Sequence, residues 1–190
     1  MRVYCNCTIS TNKKIEKSND FFNSIYAQLS NQYDLDVENN AIYYIFDRDR
    51  DSNNSKTIMN YFNKYHNSRG NDYEMNGLFL ISYPCIESFM CNSYGDQIRL
   101  SCGKEAKKHV KKYSIESLTE ENLCLATNEL LRMFLKIINE KFSTAILDDF
   151  TNCNKKVFDY EENEYIDKET YDTLFIISLI DLGIIEIEND

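Results

Sequence analysis

The chain has 190 residues and is 43% hydrophobic, enough for one core. At this size a single domain burying roughly 70% of its unfolded surface is expected. Its 31 acidic and 21 basic residues leave a net charge of −10 and a pI of about 4.8. That balance excludes a global attraction to nucleic acid or to an anionic membrane, so any such contact needs a local basic patch or a bridging metal.

Seven cysteines, Cys5, Cys7, Cys85, Cys91, Cys102, Cys124 and Cys153, form no C-x-x-C. The histidines are two, His66 and His109. An odd, scattered set argues against a disulfide framework and against ordinary zinc spacing. Buried free thiols in a reducing cytoplasm fit better. No charged n-region followed by an apolar stretch opens the sequence, so no signal peptide is read. Leu174 to Ile185 is the most apolar stretch, but Ser178, Asp181 and Gly183 interrupt it and it is too short to span a bilayer. A cytoplasmic protein is expected.

Met1 to Ser10 alternates and reads as a short strand. Ser18 to Tyr33 carries Phe21, Phe22, Ile25, Tyr26 and Leu29 at helical spacing, with Ser18 or Asn19 as cap. Ala41 to Asp47 reads as a buried strand that stops where the acids begin. Ser52 to His66 reads as a helix with Ile58, Met59, Phe62 and Tyr65 inward. Asn67 to Asn76 reads as a polar loop, and Gly77 to Ser82 as a second continuously apolar strand. Pro84 suits the first turn of a helix that faces Ile86, Phe89 and Met90 inward. The alternation predicts a parallel sheet with right-handed crossovers.

Beyond Tyr94 the character changes. Gly103 to Tyr113 is basic. Thr119 to Phe142 reads as a capped amphipathic helix with Leu123, Ala126, Leu130, Phe134 and Ile137 or Ile138 on its stripe. Asp148 to Asp167 reads as an acidic loop. Lys168 to Leu182 reads as a final apolar helix, either core or interface, ended by Gly183, with Ile184 to Glu188 as an edge strand.

The chemistry gathers at Ala41 to Asp51. Asp47, Asp49 and Asp51 alternate at the end of a strand, where α/β sheets bind ligands. Residues two apart share a face, so Asp47 and Asp49 point one way and Arg48 and Arg50 the other. Such carboxylates suit Mg²⁺ or Mn²⁺. The bland alternative is a solvated turn capping the next helix. Glu87 follows the next strand, and parallel neighbours bring it to the same sheet edge. Singly, it reads as an exposed acid in a first helical turn. Lys104, Lys107, Lys108, Lys111 and Lys112 recur at helical spacing as a candidate phosphate-binding face, against an ordinary solvated helix face. Cys85 near Glu87 has no histidine close in sequence to activate it.

Phe46-Asp47-Arg48-Asp49 after an apolar strand resembles the D-x-D element of Toprim domains. Ile81 to Glu87, I-S-Y-P-C-I-E, resembles the S-N-P-C-F-E element of the RloB-type (AbiLi-like) branch, which is associated with restriction loci and phage defence. The resemblance covers about residues 1–95. It implies a Toprim-like parallel α/β sheet flanked by helices, with residues 96–190 as a mainly helical extension packed on it. It also implies a metal-dependent, nuclease-type step on nucleic acid. Asp47, Asp49 and Glu87 would be catalytic, and Asp47, Asp49 and Asp51 would hold the metal. Toprim domains open on a strand ending in a glutamate, and Met1 to Ser10 matches the family's second strand. Truncation, a glutamate supplied by a partner, or an inactive scaffold serving as a binding or regulatory subunit are the three expectations that follow. A protein partner or a second copy is expected; a membrane is not.

Overall fold

The computed structural model describes residues 19–34, 36, 40–48, 53–69, 77–83, 85–87, 103–113, 119–142, 144–164 and 174–187. The strand read at Met1 to Ser10, the acids Asp49 and Asp51, and Pro84, Phe89 and Met90 lie outside them.

Helix α1 (Asn19–Asn31) buries Phe21, Phe22 and Ile25, the stripe its spacing encodes. Strand β1 (Tyr43–Asp47) follows. Helix α2 (Ser55–Lys64) is capped by Asn54, whose side chain accepts from the Lys56 N–H. A two-residue strand, β2 (His66–Asn67), leads to β3 (Gly77–Ser82), all six residues of which are buried. The strand order is β1-β3-β2. β1 and β3 are parallel, with Tyr44 opposite Phe79 and Asp47 opposite Ser82.

The expectation of an all-parallel sheet needs correction, because β2 runs antiparallel to β3. α2 ends at Lys64, with Tyr65 as its C-cap, and the chain enters β2 at once, leaving no room there for a crossover. β1 is also less buried than its apolar sequence implies. Among the described residues it pairs only with β3, and Ile45 is exposed.

Residues directly opposite share a face, so Tyr44, Phe46, Phe79 and Ile81 line one side of the sheet. α1 and α2 cover that side. Phe22 sits amid the rings of Phe21, Tyr44, Phe46, Tyr61, Tyr65 and Phe79, with centroids 4.3–6.0 Å away. At Gly77 (φ +148°) a Cβ would fall 2.0 Å from the Tyr44 ring, so only glycine fits this approach.

The C-terminal half is helical among the described residues: α3 (Gly103–Val110), α4 (Glu120–Lys141), a 3₁₀ turn at Thr144–Asp148, α5 (Phe150–Glu164) and α6 (Phe175–Asp181). Thr119 and Asn122 form a reciprocal capping box on α4. Ala126, Leu130, Phe134, Ile137 and Ile138 are buried as their spacing implies, but Leu123 is exposed and Met133 is buried.

The largest correction is α5, read from sequence as an acidic loop. Asp149 accepts from the Asn152 N–H at its start. Cys153, Val157 and Phe158 form its apolar stripe, and Asn154 and Glu161 are fully buried on the same side. Two polar residues within the stripe hid the 3.6-residue period. α6 buries Ile176, Ile177 and Ser178 in the chain's own core and ends at Gly183 (φ +65°). Ile184 to Ile187 form no strand. Residues from both halves of the sequence join one hydrophobic cluster. Among the described residues no helix is long and apolar enough to cross a membrane.

Candidate functional site

The parallel register brings the carboxyl ends of β1 and β3 side by side, Asp47 opposite Ser82. The Arg48 N–H donates to the Ser82 carbonyl at 2.8 Å, carrying the ladder one residue further. Asn53 then fastens the chain: its side-chain amide donates to the carbonyls of Asp47 (3.2 Å) and Arg48 (3.1 Å). The guanidinium of Arg48 returns a bond to the Asn53 carbonyl at 2.7 Å. These reciprocal bonds fix where the Asp47 side chain starts.

The Asp47 carboxylate accepts from the Ile86 N–H at 2.9 Å. Its other oxygen lies 3.6 Å from Lys107 Nζ, which reaches Glu87 Oε1 at 4.0 Å. One ammonium thus stands between two carboxylates, one at the end of β1 and one in the turn that follows β3. α3 carries Lys107 to this point. The start of that helix packs on Cys85: a Cβ at Gly103 would stand in ordinary contact, 3.4 Å, with the Cys85 side chain. Ala106 is buried beside Lys107.

Burial raises the Asp47 carboxyl above its ordinary range, and the neighbouring Glu87 charge adds to this; the Ile86 N–H and Lys107 pull the other way. Burial lowers Lys107, but Glu87 and Asp47 together outweigh it and leave the ammonium more firmly protonated than usual. Two oxygens beside this group are shut off from water without a hydrogen-bond partner among the described residues: Glu87 Oε2 and Ser82 Oγ. A buried polar oxygen left unmet costs roughly 1–3 kcal/mol, so a ligand that met either of these two would be favoured.

Arg48 points away from the acids, as strand alternation requires. It is buried against α5, with its guanidinium 5.6 Å from the centre of the Phe158 ring. Its Nε and Nη2 donate to the two oxygens of Glu162, the latter at 2.9 Å. Ser55 and the Tyr83 hydroxyl donate to the same carboxylate. Burial alone would raise Glu162, but the bonds from Arg48, Tyr83 and Ser55 win and bring it down to about 2. The sequence reading missed Glu162 because it lies in the segment taken for a loop; its only signal was the stripe of α5.

Of the residues singled out from sequence, the structure brings Asp47, Glu87 and Lys107 together. Asp49 and Asp51 lie outside the described residues. Lys104, Lys108, Lys111 and Lys112 are exposed on and just after α3. Ile86, expected to face inward, is exposed. Among the described residues no group of three or more His, Cys, Asp or Glu side chains is placed to hold a metal. The pair Asp47 and Glu87 nevertheless fits a hard cation, because Mg²⁺ often takes only one or two carboxylates and completes its shell with water and phosphate. Comparison with family models, with characterised proteins and with solved structures finds no match, so the site rests on its own geometry.

Proposed function

We propose that this chain acts on nucleic acid in a metal-dependent, nuclease-type step at the carboxyl edge of β1 and β3, as a divergent Toprim-like protein of RloB type in bacterial phage defence. The observation that carries the reading is the meeting of Asp47, at the end of β1, with Glu87, in the turn after β3, where Glu87 Oε2 and the neighbouring Ser82 Oγ are buried without a hydrogen-bond partner among the described residues. Asp47 and Glu87 would hold Mg²⁺ or Mn²⁺, with Asp49 and Asp51 next along the chain as further acids. The cation would orient a phosphodiester and offset its charge. The exposed lysines of α3 and the turn after it, Lys104, Lys108, Lys111 and Lys112, stand close to Lys107 in sequence and suit salt-sensitive phosphate contacts. The phage-defence setting rests on the resemblance of Ile81 to Glu87.

A second reading is favoured by Lys107. An ammonium already shared by the two carboxylates suits a scaffold that binds a partner without catalysis.

Mn²⁺ titration by calorimetry, with Asp47→Asn and Glu87→Gln beside the parent, tests the first reading. Binding by the parent that weakens at least tenfold in either variant supports it. No binding by the parent at millimolar Mn²⁺ sinks it and leaves the scaffold.

A further inference from the structure

The Lys107 ammonium lies where a cation shared by Asp47 and Glu87 would lie, 3.6 Å from one carboxylate and 4.0 Å from the other. It arrives from α3, an element separate from both strands, so it can withdraw without disturbing the ladder. Half of its side chain is exposed, which gives the ammonium a path to water. The Asp47 carboxylate also accepts from the Ile86 N–H at 2.9 Å, through the oxygen that does not face Lys107. Asp47 is therefore held by the backbone as well as by the ion pair, and the half-exposed lysine is the movable member.

We propose that Lys107 is a tethered competitor for the divalent cation: the metal enters the Asp47–Glu87 pair only by displacing the ammonium. This rests on the metal reading above and adds how the site is gated. With Lys107 in place the group carries charges of −1, −1 and +1, a net −1. Exchange for a divalent cation leaves the pair neutralised and an ammonium released next to it. A phosphodiester is the chemistry that would take up that released charge, so metal and polyanion should enter together. Lys107 would then be a positioning residue that turns from the acids to the phosphate.

The test is Mn²⁺ affinity of the parent, Lys107→Met and Lys107→Arg, read by calorimetry, with circular dichroism to confirm folding. Removing two partly exposed ion contacts should tighten Mn²⁺ binding about tenfold in Lys107→Met. Lys107→Arg keeps the charge and should stay within about threefold of the parent. A single-stranded oligonucleotide should tighten Mn²⁺ binding to the parent and have less effect on Lys107→Met. Binding by Lys107→Met that is equal to or weaker than the parent's overturns the competitor while the metal reading stands. Binding by neither protein removes the metal site and the competitor together. Binding by Lys107→Met alone overturns exchange in the parent, whose lysine then shuts the metal out, and leaves the scaffold.

Discussion

Replacing Glu162 by glutamine probes the part of the fold that holds the site in place. Glu162 receives Arg48 through two nitrogens, the Tyr83 hydroxyl and Ser55, and so ties α5 to the ends of β1 and β3 and the start of α2. The side chain of Arg48 is 4% exposed and that of Glu162 is 18% exposed. Breaking such a pair strands a buried guanidinium, and the expected cost is about 3 kcal/mol. For a chain of this length that lowers Tm by roughly 6–12 °C. The pH dependence gives a second measure. Glu162 sits at about 2 in the fold against an ordinary 4.5, so its contribution is complete above about pH 4.5 and is lost as pH falls toward 2. Discounted for its partial exposure, that contribution is roughly 2 kcal/mol. Urea denaturation of the parent and Glu162→Gln across pH 2.5–7 reads both. The gap between them should be widest near neutrality and shrink in acid. The double variant Arg48→Met/Glu162→Leu should recover much of the loss, because an apolar pair leaves no stranded charge. A Glu162→Gln cost below about 0.5 kcal/mol, or a gap independent of pH, refutes the reasoning.

Two further substitutions test the sheet itself. Gly77→Ala should cost more than about 2 kcal/mol by thermal denaturation, since its Cβ would collide with Tyr44 at a backbone angle that suits glycine. Phe22→Ala should cost about 3–5 kcal/mol, because the ring is fully buried at the centre of the aromatic cluster. Phe22→Leu should retain most of that stability.

Elements whose signals are local were legible in the sequence. Gly77 to Ser82 is a strand over the residues its apolar run marks, and Thr119 caps α4 where the sequence places a cap. The approach of Glu87 to Asp47 followed from parallel pairing of two strands that both end in polar residues. What escaped depends on partners distant in sequence. Asn154 is buried because it donates to the Phe79 carbonyl, and Glu162 is tolerated because Arg48 stands 114 positions away. Read alone, Asn154 breaks the stripe of α5 and Glu162 is one more acid in a polar segment. Lys107 reads as one more solvated lysine until α3 is set against the sheet edge. Leu123 and Ile86 show the converse, since apolar residues at the right spacing can still lie beyond the area a neighbour covers.

The pairing of Asp47 with Ser82 also acts as a selector of charge. Asp47 and Arg48 are adjacent and opposite in sign, and the ladder decides which one meets α3 and which meets α5. A slip of β1 by a single residue would turn every side chain over. It would aim a guanidinium at Lys107 and a carboxylate at Glu162, placing like charges together on both sides of the sheet. The two ion groups therefore proofread the alignment of the strands: the same contacts that shape the acidic edge make the misaligned sheet electrostatically untenable.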